Sequence, residues 1–321
     1  MVKIIYDKNA KTVATRVAYG NALADLGDKY NFFVLDADLS GSTQTAIFGK
    51  KFPDRFINCG IAESNMISVA AGIAASGVPA FASSFAMFAC GRAYEQIRNS
   101  VAYPELNVKI CASHAGVTVG EDGATHQCLE DLGTMRLIPG MTVLSPADAV
   151  EARAAVEAAI NIKGPVYIRF GRYAVPVIFE QDTYKMEVGR GIILAEGRDA
   201  AIFATGFMTH AALEARALLK NDGIDAAVIN IHTVKPIDRE LVIAMANTTG
   251  AIVTCEEHNI IGGLGDAVSE VVCECCPVPV FRVGVRDQFG RSGKVPPLLE
   301  HYGLTPAVVA EKVKAAVALK K

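Results

Sequence analysis

Short apolar runs rich in β-branched and small residues alternate along the chain with stretches of helical character, and this alternation limits the fold more than any other feature of the sequence. In the first half the runs are NFFVLDADL, PAFASSF, VKICASH, MTVLSPA and GPVYIRF. Each is continuous rather than interrupted by polar residues, as strands covered on both faces are. Between them, segments 16–26, 63–76, 92–102 and 147–160 read as helices. Such alternation folds as a parallel sheet with helices on both faces. The prolines and charges of RYAVPVIFEQDTYKMEVG interrupt the pattern and mark a connection between domains. After it, DAAIFATG, DAAVINIHTV, GAIVTCEEH and VPVFRVGV read as strands, with helices near 208–220, 238–247, 264–275 and 305–319. The expected organisation is α/β throughout: a domain over 1–178, a linker over 179–188 and a smaller α/β domain over 189–321, without a sequence repeat between the halves.

A chain of 321 residues can bury two cores. Its net charge of −3, with the signs interspersed, argues against a dedicated nucleic-acid or anionic-membrane surface. The longest apolar segments carry Ser, Gly and Pro where a spanning helix would be continuous, so they read as core and no membrane partner is expected. MVKIIYDKNAKTVATRVAYG lacks the charged start, apolar block and cleavage site of a secretion signal, which makes a cytoplasmic location the expectation. The eight cysteines are scattered through apolar runs, as reduced thiols are. CECC at 273–276 has one C-x-x-C spacing but no second pair or nearby histidine, and reads as packing on a helix.

Ligands of open parallel sheets collect at the carboxyl ends of strands, so the polar residues that follow the apolar runs matter most. FFVL is followed by DADLSGS, FINC by GIAE with Glu63, ICAS by HAGVTVGEDGATHQ and VYIRF by Gly171 and Arg172. FASSFAMF places Phe85 and Phe88 at a strand end. The third of these loops gathers His114, Asp122 and His126 among glycines, a composition more typical of a site than of a spacer. These side chains suit substrate binding or proton transfer; they lack the H-x-x-x-H spacing of a helical metal site, and ordinary turn chemistry is the alternative. Glu63 also has two readings. A glutamate in the first turn of a helix is favoured by the helix dipole alone, whereas a carboxylate set among small apolar residues suits acid or base work.

FPDRFINCGIAESNM, SSFAMF and GEDGATHQ, in this order and spacing, make the chain resemble the thiamine-diphosphate-dependent transketolases over nearly its whole length. More specifically, it resembles the C-terminal subunit of a split, two-chain transketolase. The resemblance implies a pyrimidine-binding domain of the thiamine-diphosphate fold followed by the smaller C-terminal transketolase domain. It also implies transfer of a two-carbon ketol unit between phosphorylated sugars, in the manner of the pentose phosphate pathway. On this resemblance Glu63 is the catalytic glutamate that bonds N1′ of the cofactor's aminopyrimidine. Phe85 and Phe88 hold the pyrimidine ring, and Asp38 and Leu39 border the cofactor. His114, Asp122 and His126 contact the sugar's hydroxyls or phosphate, with His126 also taking a catalytic role. Arg16, Ser42 and Arg172 form a phosphate clamp, for which guanidinium forks are suited. Arg169 is a nearby competitor, and the spacing from GP favours Arg172.

The family's G-D-G motif with a later Asn, which holds the diphosphate through a divalent ion, does not occur here. The resemblance therefore assigns the metal, Mg²⁺ or Ca²⁺, to an N-terminal partner subunit, leaves this chain inactive alone, and implies a heterotetramer or a homodimer of this chain. One departure is Gly91, where full-length transketolases often carry an aromatic. RAYEQI is similar instead to 1-deoxy-D-xylulose-5-phosphate synthase, and a GIAE-like motif also occurs in the beta subunit of 2-oxoacid dehydrogenases. The alternative of another class is a non-catalytic scaffold or regulatory paralogue; the presence of Glu63, Asp122, His126 and Arg172 speaks against it. In EEHNIIGGLGDAVSE, a Gly-rich turn before a helix could bind an anion, but Gly262, Gly263 and Gly265 read as serving the turn and close packing. The family resemblance implies that this second domain does not reach the catalytic centre.

Overall fold

The computed structural model describes residues 2–320. A seven-stranded sheet dominates the first half, in the order Thr233–Lys235, Thr142–Leu144, Val166–Arg169, Val108–Ser113, Ala80–Phe85, Phe33–Asp36 and Phe56–Asn58. The six strands that come from the first half are parallel. Ala80–Phe85 and Val108–Ser113 are buried at every position, which is why neither run alternates with polar residues. Helices Thr15–Leu26 and Ala149–Asn161 cover one face, and Glu63–Ala75 lies over the other.

The second half forms a five-stranded sheet, in the order Val280–Val285, Ile252–Asn259, Ala200–Ala204, Ala226–Asn230 and Ile192–Ala195, the last antiparallel. Its helices are Met208–Asn221, Arg239–Thr249, Leu264–Cys275 and Pro306–Ala318. Two of them start where the sequence supplies a cap: the Asp238 side chain accepts from the N–H of Leu241, and that of Thr305 from Val308.

Three expectations are revised. DAAVINIHTV is two strands, because Thr233–Lys235 leaves the second sheet and pairs antiparallel with Thr142–Leu144 at the edge of the first. The helix expected over 92–102 begins earlier and is irregular: π-helical turns Met87–Arg92 and Ile97–Ala102 flank the short α-turn Tyr94–Gln96. Such wide turns re-aim side chains and are frequent at functional sites. Cys273 and Cys275 are exposed rather than packed, since the buried stripe of their helix ends at Val271 and Val272.

The connection between the halves is bonded to both. The Asp148 carboxylate accepts from the N–H groups of Ile178 and Phe179 at 2.6 and 3.0 Å. Buried Glu151 accepts from the Tyr184 hydroxyl and, at 2.8 Å, from Asn230 of the second sheet.

Candidate active site

Five adjacent strands of the large sheet end at one edge, and each delivers one element of the site. Phe56–Asn58 leads through a turn at Gly60, with φ of +71°, into the helix that opens with Glu63. The Glu63 carboxylate is only 4% exposed, but its surroundings are not simply apolar as the sequence suggested. Nη1 of Arg92 donates to both of its oxygens, at 3.1 and 3.3 Å. The guanidinium carbon of Arg92 lies 4.2 Å from the ring centroid of Phe88, a cation–π contact. Arg92 was not singled out from the sequence. Its spacing of four from Phe88 was the available signal, blurred by the π-helical turn that carries both residues.

Phe88 begins an aromatic row. Phe85 lies nearly parallel to it at 5.8 Å, His126 meets its edge at 5.2 Å, and His114 stacks on Phe85 at 3.8 Å. His114 follows the strand Val108–Ser113 directly and adopts a positive φ of +56°, a strained conformation for a residue with a side chain. Its Nδ1 is hydrogen-bonded to the Ser113 hydroxyl at 2.9 Å. Burial first, then the nearby charges of Arg16 and Arg172, push its pKa down to about 3, so the ring is neutral at physiological pH.

Arg16 and Arg172 come from opposite ends of the first domain and are tied together by the Thr15 hydroxyl, which accepts from the N–H of Gly171 at 2.8 Å. Burial, and secondly the charge of Arg172, lower the pKa of Arg16 from its ordinary value. Arg16 donates to the carbonyl of Ser42 at 2.6 Å, and its buried Nε has no hydrogen-bond partner. Arg172 donates to the carbonyl of Val119 at 2.8 Å and lies 3.9 Å from the Glu121 carboxylate. Two neighbouring guanidinium groups, one with an unsatisfied buried donor, suit an anion.

The loop after Phe33–Asp36 is organised by Asp36, fully buried, which accepts from the N–H of Leu39 and from the hydroxyls of Thr43 and Thr45. Asp38 has a φ of +63° and exchanges hydrogen bonds with the Asn58 side chain. Asp36 and Asn58 thus fix the backbone of Asp38 and Leu39, and the Ser42 carbonyl is held by Arg16. Asp122 is exposed at the tip of loop 120–127.

Arg169 does not join this group. It is buried, donates to Asp131 at 2.7 Å and to the carbonyl of Glu257 at 2.7 Å, and ties the two halves together. The Gly-rich turn of the second half is also internally satisfied. The Glu256 carboxylate accepts from the N–H groups of Leu264 and Gly265 at 2.7 and 2.8 Å. A Cβ on Gly263 would stand 1.9 Å from that carboxylate. Among the described residues, no three His, Cys, Asp or Glu side chains are grouped so as to hold a metal ion.

The second half touches loop 120–127 at the site's edge, a contact that leaves the expectation that it stops short of the catalytic centre standing. The Ser292 hydroxyl donates to the carbonyl of Glu121 at 2.6 Å. Gln127, unnoticed in the sequence beside His126, is buried; its amide donates to the carbonyl of Arg291 at 3.0 Å and to those of Val117 and Gly120 at 3.2 Å.

Comparison with known families matches residues 11–177 to the pyrimidine-binding domain of transketolase and residues 189–309 to the transketolase C-terminal domain. A chain of Methanocaldococcus jannaschii named as a transketolase C-terminal section is 50% identical over 301 residues, covering 93% of this chain and 94% of that one. The 6-deoxy-6-sulfo-D-fructose transketolase subunit of a Clostridium species is 46% identical over 303 residues, covering 94% and 92%. A solved split-gene transketolase, described as an inactive β4 tetramer, superposes with a TM-score of 0.90 at 53% identity, covering 96% of this chain and all of that one.

Proposed function

Since the chain belongs to the transketolase family, whose members depend on thiamine diphosphate, we propose that it is one subunit of a two-chain transketolase moving a two-carbon ketol unit between phosphorylated sugars. The observation that carries this reading is the row of contacts along one sheet edge, Glu63, Arg92, Phe88, His126, Phe85 and His114, with the charges of Arg16 and Arg172 near its His114 end.

The Glu63 end fits the pyrimidine half of the cofactor. There a planar N–H donor, the Arg92 guanidinium, already lies on the Phe88 ring and donates to the carboxylate. An aminopyrimidine offers the same flat face, and its ring nitrogen becomes an N–H donor to the carboxylate once it shares the Glu63 proton. In this reading Glu63 holds a proton at N1′, Phe85 and Phe88 orient the ring, and Asp38 and Leu39 close its border. Bound thiamine diphosphate would supply the electron sink for breaking and making the carbon–carbon bond.

Neutral His114, with His126 and Asp122, would orient sugar hydroxyls. His126, whose ring meets both phenylalanines edge-on, would exchange a proton with the substrate. Arg16 and Arg172, beside the Ser42 carbonyl, would bind the terminal anion. The sulfonated sugar in the name of one relative fits the same clamp, which reads charge and tetrahedral shape.

The diphosphate and its Mg²⁺ or Ca²⁺ would come from an N-terminal partner subunit, because a diphosphate needs a cation and backbone donors and this chain lacks the family's G-D-G motif. The inactive β4 state described for the split-gene relative supports inactivity of this chain alone; with the partner, the assembly would be a heterotetramer. The activity would serve cytoplasmic carbohydrate metabolism, with the pentose phosphate pathway as its setting.

The test is to combine the chain with a partner carrying the diphosphate motif and follow two-carbon transfer from xylulose 5-phosphate to ribose 5-phosphate, with 6-deoxy-6-sulfofructose as a second donor. Transfer only by the pair is expected. Robust turnover by the isolated chain with cofactor and Mg²⁺ would sink the two-chain reading.

A further inference from the structure

We propose that loop 286–294 of the second half is a strut that sets the sugar loop 120–127, and that Gln127 and Ser292 are positioning residues for sugar affinity. This rests on reading loop 120–127 as the sugar loop.

The contact is built from several independent bonds. Ser292 donates its hydroxyl to the carbonyl of Glu121, and the space beside Gly123 is closed by the Ser292 backbone, whose N would lie 3.2 Å from a Cβ there. Gln127 is 3% exposed and spends its amide on carbonyls from both sides of the contact, Val117 and Gly120 on its own loop and Arg291 on the strut. Gly290 packs directly against the Gln127 side chain: a Cβ there would stand 1.9 Å from the carboxamide oxygen and displace it. The strut is itself held from behind: the Tyr302 hydroxyl donates to the carbonyl of Phe289 at 2.8 Å.

What the strut holds is the substrate end of the site. His126 is adjacent to Gln127, and its N–H and that of Gln127 both turn back onto the carbonyl of Gly123. Glu121, whose carbonyl Ser292 grips, carries the carboxylate nearest Arg172, and Arg172 also donates to Val119 on the same segment. Releasing the strut would therefore shift His126, Asp122 and the partners of Arg172 together. Glu63 and Phe88 stand on other elements, so the pyrimidine end would not follow.

The experiment compares Ser292→Ala, Ser292→Thr and Gln127→Met with wild type, each in complex with the partner subunit. It reads KM and kcat for xylulose 5-phosphate, the affinity for thiamine diphosphate, thermal melting, and hydrogen exchange of the amides at 120–127. Ser292→Ala and Gln127→Met are expected to speed exchange in that loop. They should raise the sugar KM about tenfold, the scale of one lost hydrogen bond, with kcat and cofactor affinity little changed. Ser292→Thr, which keeps the hydroxyl, should stay near wild type. Unchanged exchange in both disruptive variants would overturn the strut. Faster exchange with an unchanged KM, or with equal losses in cofactor affinity, would overturn its role in sugar affinity. A wild-type complex unable to transfer from any phosphorylated ketose would refute the proposed function and this role with it, while the exchange data would still decide the strut.

Discussion

Arg92 donates from a single nitrogen to both carboxylate oxygens of Glu63, at 3.1 and 3.3 Å, while its guanidinium rests on Phe88. The acid in the first helical turn is thus part of a carboxylate–guanidinium–aromatic stack and not merely a favourable charge at a helix N-terminus.

Replacing that acid separates chemistry from stability. Glu63→Gln keeps the shape and removes the charge. Ketol transfer by the two-chain complex should fall at least about a hundredfold, as expected when a positioned proton-handling group is lost. Because Arg92 is half exposed, the lost ion pair should cost no more than about 1 kcal/mol. Steady-state kinetics beside a denaturant titration check both parts; normal turnover would remove Glu63 from the mechanism.

Arg172→Ala removes binding remote from the reacting carbon. The KM for phosphorylated sugars should rise about tenfold or more, and activity with an uncharged ketose should change little. Equal losses with both substrate types would argue against the clamp.

The neutral state of His114 has a consequence for acid stability. Its folded pKa, about 3, lies below the unfolded value of about 6.5, so the unfolded chain binds the proton more readily. Its contribution is complete above pH about 6.5 and is lost as the pH falls toward 3, with a slope approaching about 1.4 kcal/mol per pH unit within that window. In denaturant titrations at pH 7.5 and 5.0, His114→Asn should lose less stability than wild type between the two values. An equal loss in both proteins would refute the assignment.

Arg169 and Asp131 form a buried ion pair at the junction of the halves, 6% and 0% exposed. Asp131→Asn should destabilise the chain by about 3–5 kcal/mol, because it leaves a buried guanidinium without its counter-charge. Arg153→Ala, which breaks the more exposed pair with Asp25, should cost less than about 1 kcal/mol. Chemical denaturation of the two variants is the measurement.

Much of the site could be read before any fold was known. Glu63, Phe85, His114 and Arg172 each follow an apolar run, and a buried parallel strand ends where its apolar run ends. Arg92, Gln127 and Ser292 could not be found that way. Arg92 sits inside a π-helical turn, where helical periodicity misplaces side chains, and Gln127 and Ser292 each bond a partner more than 160 residues away along the chain. Nor did DAAVINIHTV reveal that its last residues join the other sheet, since a strand's composition does not name its neighbour.

The sequence by itself determined the alternation of buried strands and small-residue helices, and with it the edge at which polar loops must gather, because apolar periodicity and glycine placement act locally. Only the tertiary structure decided what buries Arg169, which pairs with Asp131 and the carbonyl of Glu257. It alone brought Arg16 beside Arg172 and set the second half against loop 120–127. Those outcomes depend on which distant groups can satisfy a buried charge or carbonyl, and that is settled only when the sheets pack.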